Sequence, residues 1–149
     1  MPSLKMLAVS GEKNSGKTTL IARLLPRLVA EGLKVAVVKH DGHSFSPDVP
    51  GTDTHRFLQA GALGAAVFDG EKYMLTKLMP TDEVSLAAQY PEADLILLEG
   101  LKHSSHPKLR LSAQHQVGFS FSPAQYHRDD IDAIFDTIMT WYGGDQTRD

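Results

Sequence analysis

The chain has 149 residues, a hydrophobic fraction of 42% and a formal net charge of −3. That length suits one domain with a real core, and the charge gives no global basic field of the kind that attracts nucleic acid. Having no cysteine excludes disulfides, thiolate metal sites and a thiol nucleophile, and fits a reducing compartment such as the cytoplasm.

The first apolar run, Leu4-Lys5-Met6-Leu7-Ala8-Val9, reads as a buried strand leading straight into "SGEKNSGKTT", so it is a core element and not a signal peptide. Leu20, Ile21, Leu24, Leu25 and Leu28 then recur at helical spacing, and Gly32 marks the helix stop. "KVAVVKH" is a near-continuous β-branched run, expected to be a second buried strand. "DGHSFSPDVPGTD" is too rich in turn formers to be regular, and "TDTHRFLQAGA" reads as a short helix closed by Gly61. "GAAVFDG" and "KYMLTKL" predict a hairpin around Asp69-Gly70. "PTDEVSLAAQY" predicts a helix with Thr81 as its N-cap, and "ADLILLEG" a buried strand ending at Glu99. "PKLRLS" and "QVGFSFS" are two further strand candidates, and residues 128–142 predict the last helix. No apolar run reaches membrane-spanning length.

Strands alternating with helices imply an α/β fold: a three-layer P-loop NTPase fold with a mostly parallel sheet, helices on both faces and a small hairpin addition. Residues 1–143 are expected to form a single nucleotide-binding domain, with 144–149 a fraying tail. In such sheets ligands bind outside the carboxyl ends of the strands. That rule brings the ends at Ser10-Gly11, Lys39-His40 and Glu99 towards one cleft.

Gly11-Glu12-Lys13-Asn14-Ser15-Gly16-Lys17-Thr18 matches G-x-x-x-x-G-K-[ST] between a strand and a helix, the context in which the motif means a phosphate-binding loop. Its glycines let successive N–H groups turn inward as an anion nest, and the helix that follows, past Thr19, adds its positive end. Lys17 would reach the β- and γ-phosphates and Thr18 would ligate Mg²⁺. The alternative is an ordinary helix start after a flexible turn.

Glu99 ends an apolar strand, where a carboxylate can hold waters of a phosphate-bound Mg²⁺; otherwise it is a solvated strand end. Asp53 would serve Mg²⁺, orient a water or cap the N-terminus of the following helix, and the residues leave these open. Asp41 and Asp48 are weaker candidates of the same kind. His40-x-x-His43 and His103-x-x-His106 are close pairs that suggest zinc or nickel, but neither lies on a clear helix. Lys39, His40, Lys102 and His103 sit at strand ends and supply positive charge for an anionic ligand. The single asparagine, Asn14, lies in the phosphate loop, so no Asn-Lys-x-Asp guanine signature exists and the residues alone leave GTP and ATP open. No obvious arginine finger follows either, so slow hydrolysis is expected.

Several segments together resemble the molybdopterin-guanine dinucleotide biosynthesis protein B (MobB) family: "GEKNSGKTTL", "VVKHDGH", "DVPGTDTHRFLQAGA" and "DLILLEGLKHSSHPKL", in that order. The resemblance implies a GTP-binding P-loop protein, usually dimeric, with weak hydrolysis of its own. It implies a place in the last step of the bacterial molybdenum cofactor pathway, where a MobA-type nucleotidyltransferase joins GMP to molybdopterin; that pterin is a further candidate ligand. By position, Gly11 to Thr18 would hold phosphates and Mg²⁺, Asp53 and Glu99 would serve the metal, and Lys39, His40, Arg56 and Lys102 would line the cleft. Gly42 stands where some relatives carry another histidine. A small-molecule kinase or ligase is the competing reading, and a nickel-type metallochaperone GTPase a further one; the first wants an arginine-rich lid and the second a cysteine–histidine motif.

Overall fold

The computed structural model describes residues 4–42, 45 and 51–144. In chain order the elements are β1 (Lys5–Gly11), α1 (Lys17–Ala30), β2 (Val35–Lys39), α2 (Asp53–Gln59), β3 (Gly64–Phe68), β4 (Tyr73–Lys77), α3 (Glu83–Ala87), β5 (Leu95–Glu99), β6 (Lys108–Leu111), β7 (Gln116–Phe119), β8 (Ser122–His127) and α4 (Ile131–Gly144). They divide into two compact units, residues 1–40 with 83–149, and residues 41–82.

The first unit is built on a six-stranded sheet of order β2-β5-β1-β6-β7-β8. Strands β2, β5, β1 and β6 run parallel, and β7 and β8 continue the sheet antiparallel. Strand periodicity splits the apolar residues between two faces. Leu7, Val9, Leu95, Leu97, Leu109 and Leu111 pack with Leu20, Ile21, Leu24 and Leu28 of α1 and with Ile134 and Ile138 of α4. Ala8, Ile96, Leu98 and Val38 form the other face with Ala87 of α3. The expected mostly parallel α/β sheet with helices on both faces is present.

Strand β5 lies between β2 and β1, and all five of its residues are buried, Glu99 included. Strand β2 corrects an expectation. Its β-branched run predicts burial throughout, yet Val38 is buried while Val37 is exposed, because β2 ends the hydrogen-bonded order and lacks the two-sided cover of an interior strand.

Helix α3 begins at Glu83, two residues beyond the predicted Thr81 cap. Residues 123–127 were not expected to form a strand. They do so as β8, the other end of the sheet order, where Pro123 is tolerated because an edge strand need not donate from every N–H. The last helix starts at Ile131 and not at residue 128. His127 to Asp130 form a turn first: the Asp130 N–H bonds the His127 carbonyl (2.8 Å), and the Asp130 carbonyl accepts the Ile134 N–H (3.0 Å).

The second unit holds α2 and the predicted hairpin, β3 paired antiparallel with β4 from Gly64↔Lys77 to Phe68↔Tyr73. Its turn is closed by Asp69, whose Oδ1 accepts the N–H groups of Glu71 (2.8 Å) and Lys72 (3.0 Å). The Lys72 ammonium, then these backbone donors, hold the Asp69 carboxyl below its ordinary value. Among the described residues no helix is long and apolar enough to cross a membrane.

Candidate nucleotide-binding site

The parallel register aligns three strand ends. Val9 pairs with Glu99, and Lys39 pairs with Glu99 from the other side. Beyond them, the Gly100 N–H bonds the Val9 carbonyl (2.9 Å) and the His40 N–H bonds the Glu99 carbonyl (2.9 Å). Within this unit the strand-end rule therefore brings together Gly11 to Thr19, Lys39, His40 and Glu99. Lys102 follows in the loop after β5, where it and His103 are exposed.

The loop between β1 and α1 has the backbone its sequence demands. Asn14 (φ 63°) and Gly16 (φ 100°) both take left-handed conformations, and the Ser15 N–H bonds the Glu12 carbonyl (3.1 Å). Gly11 is fixed by space. A Cβ there would lie 2.7 Å from both the Leu111 carbonyl oxygen and Ser15 Oγ. Lys17 folds back over the loop, its Nζ donating to the carbonyls of Gly11 (2.9 Å) and Glu12 (3.0 Å). Glu12, Lys13 and Asn14 are exposed. Ser15 is only 6% exposed, and among the described residues its Oγ has no hydrogen-bond partner. A buried hydroxyl without a partner among the described residues, in a loop with left-handed backbone at Asn14 and Gly16, fits a ligand rich in oxygen acceptors.

Thr18 and Glu99, 81 positions apart, meet directly: the Thr18 hydroxyl donates to Glu99 Oε1 at 2.6 Å. Glu99 is 7% exposed, so it is not a solvated strand end. A hydroxyl and a carboxylate at one spot fit Mg²⁺, which takes few protein ligands and keeps several waters.

Asp53 and Arg56 lie on α2 in the second unit, both exposed. Thr52 precedes that helix and Asp53 is its first residue, so Asp53 favours the helix start through the dipole and does not cap it. His43 and Asp48 lie outside the described residues. His106 donates through Nε2–H to Glu83 Oε1 (2.9 Å), tying the loop after β5 to α3, while His103 is exposed. Among the described residues no group of three or more His, Asp or Glu could hold a metal ion.

Sequence reading missed Lys108. Only 2% exposed, it donates from Nζ to the Ser104 carbonyl, to Ser104 Oγ (3.0 Å) and to the His106 carbonyl (3.0 Å), which folds residues 104–106 around it. Burial, then the neighbouring Arg110 charge, push its ammonium below the ordinary lysine value. No sequence signal separates this lysine from its exposed counterparts. A groove of about 370 Å³ on the antiparallel half, lined by Arg110, Gly118, Ser120 and Gln125 among others, holds none of the predicted site residues.

Comparison with known proteins agrees with this arrangement. The family model described as "Molybdopterin guanine dinucleotide synthesis protein B" (MobB) matches residues 6–134. A relative from Haemophilus influenzae, named molybdopterin-guanine dinucleotide biosynthesis adapter protein, is 34% identical over 118 residues, 76% of this chain and 66% of its own length. The crystal structure of Bacillus subtilis MobB aligns with a TM-score of 0.64 at 34% identity, covering 74% of this chain and 69% of that one. A MobB protein homolog from Bacillus stearothermophilus aligns with a TM-score of 0.66 at 25% identity, covering 93% of this chain and 98% of that one. With that family model matching most of its length, the chain belongs to the MobB family.

Proposed function

We propose that the chain is a GTP-binding accessory protein of molybdenum cofactor biosynthesis, assisting a MobA-type nucleotidyltransferase as it attaches GMP to molybdopterin in the cytoplasm. The observation that carries the nucleotide half is the Thr18 hydroxyl on the buried Glu99 carboxylate beside a phosphate-type loop. The adapter half rests on the names of the relatives, which call them adapter proteins.

In this reading the backbone donors of Gly11 to Thr19 hold the phosphates. Lys17 leaves the Gly11 and Glu12 carbonyls to meet them. Thr18 and Glu99 hold Mg²⁺, which when bound neutralises phosphate charge. Lys39, His40 and Lys102 add positive charge at the strand ends. Asp53 as a metal-serving acid and Arg56 as a cleft cation rest on the family resemblance alone. A homodimer is part of the same reading. It is supported by the hairpin, where Val67, Phe68, Tyr73, Met74 and Leu75 are all exposed, more apolar surface than a lone hairpin leaves to water.

Fluorescence titration of labelled GTP and ATP, with and without Mg²⁺, tests the nucleotide assignment. GTP is expected to bind more tightly, and Lys17→Ala to weaken it about tenfold or more through lost charge-assisted contacts. Unchanged GTP affinity in folded Lys17→Ala would overturn the phosphate loop, and a preference for ATP would overturn the guanine assignment.

A further inference from the structure

Beside the phosphate loop stands a cation that sequence reading did not select. Arg128 follows β8, and its Nη1 lies 3.5 Å from the point a Cβ on Gly16 would occupy. The guanidinium thus rests against the glycine that opens α1. It is half-buried, and no hydrogen bond or ion pair engages it among the described residues. The adjacent acid is taken: Asp129 Oδ1 pairs with Arg23 Nη1 at 3.3 Å.

The backbone that carries Arg128 is tied down on both sides. Its N–H bonds the His115 carbonyl at 2.6 Å, and His115 itself takes a left-handed conformation (φ 64°). On the far side, the His127 N–H bonds Asp130 Oδ2 (3.2 Å) and the Asp129 N–H bonds His127 Nδ1 (3.3 Å). A half-buried guanidinium without a carboxylate is costly to hold unless an anion completes it. The second sign of an anion on the same loop is Ser15 Oγ, buried and without a partner among the described residues, one residue before Gly16.

We propose that Arg128 is a nucleotide-binding residue, donating in cis to the α- and β-phosphates. This rests on the phosphate-loop reading given above and adds a residue from the antiparallel half of the sheet. In a loop of this kind the backbone cradles the α- and β-phosphates while the lysine reaches the β- and γ-phosphates. Arg128 borders the backbone at Gly16, so its charge falls on the cradle and not on the γ-phosphate. A guanidinium there offers forked donors to phosphate oxygens.

The test is the affinity of the full chain and of Arg128→Gln and Arg128→Lys for GTP and GDP, with Mg²⁺. Arg128→Gln is expected to weaken GTP and GDP alike, about tenfold each, and Arg128→Lys to recover part of the loss. Circular dichroism checks that both variants are folded, and the lysine variant keeps the charge if the glutamine variant fails to fold. Equal affinity of wild type and Arg128→Gln for both nucleotides overturns the proposal, as does a loss confined to GTP or to turnover, which would place Arg128 at the γ-phosphate. Failure of the wild-type chain to bind either nucleotide is a different result and refutes the phosphate-loop reading itself.

Discussion

Glu99→Gln should separate stability from metal-dependent binding and move them in opposite directions. The carboxylate is 7% exposed, accepts the Thr18 hydroxyl at 2.6 Å, and forms no ion pair among the described residues. The amide oxygen of glutamine can accept the same hydroxyl. Going from a charged to a neutral acceptor costs about 1 kcal/mol of hydrogen-bond strength. Removing a buried charge that no cation offsets relieves several kcal/mol of desolvation, of which a polar amide gives back about 1–3 kcal/mol. The balance is a gain of about 1 kcal/mol, which for a chain of this size raises the melting temperature by about 2–4 °C. In the proposed site Glu99 is an acidic ligand of Mg²⁺, so affinity for Mg²⁺–GTP should fall about tenfold while Mg²⁺-free GTP affinity holds. Thermal unfolding by circular dichroism and titration with labelled GTP, with and without Mg²⁺, read the two effects. A lower melting temperature would mean that the Glu99 charge is offset within the fold. Mg²⁺ dependence equal to wild type would remove Glu99 from the metal site.

Gly11→Ala should destabilise the protein by about 1–3 kcal/mol, because its Cβ would press to 2.7 Å from a strand carbonyl and from Ser15 Oγ; a melting temperature equal to wild type would refute that close approach. Lys108 has a folded-state value below its ordinary 10.5, so the unfolded chain binds the extra proton and stability rises with pH up to about that value. Denaturant melts of wild type and Lys108→Met across the alkaline range should show the wild type gaining on the variant as pH rises; a constant difference would mean that burial does not penalise the ammonium. The isolated chain should hydrolyse GTP far below the roughly 1–100 s⁻¹ of kinases, since neither Lys17 nor a cis arginine at the α- and β-phosphates replaces an arginine finger. Steady-state phosphate release in the kinase range would favour a phosphotransferase instead.

The strand–turn–helix of the candidate phosphate loop was legible because it is contiguous: β1, one glycine-rich turn and α1 carry it from Gly11 to Thr19. Glu99 was legible at a distance because a strand-end rule connects it to the loop, and the parallel register of β1 and β5 obeys that rule. Arg128 was not legible. It reaches Gly16 through two antiparallel strands, and β8 was itself unforeseen because its alternating, Pro-containing edge sequence resembles a loop. Lys108 was hidden for a related reason: only the folded loop after β5 reveals which lysine is enclosed.

The central place of β5 governs when this protein can begin to fold during synthesis. β1 and β2 are made first, but neither touches the other; each pairs with β5, which ends at residue 99. Until that segment leaves the ribosome, Leu7 and Val9 have a helix to lean on but no neighbouring strand, and the 42 residues of the second unit are threaded in between. Long-range pairing of this kind is slow and leaves strand edges unprotected in the nascent chain. A chain that stops short of residue 95 would therefore lack the six-stranded sheet, with β1 and β2 unpaired and only the β3–β4 hairpin able to form. Such a product would be a chaperone client and not a shortened version of the same protein.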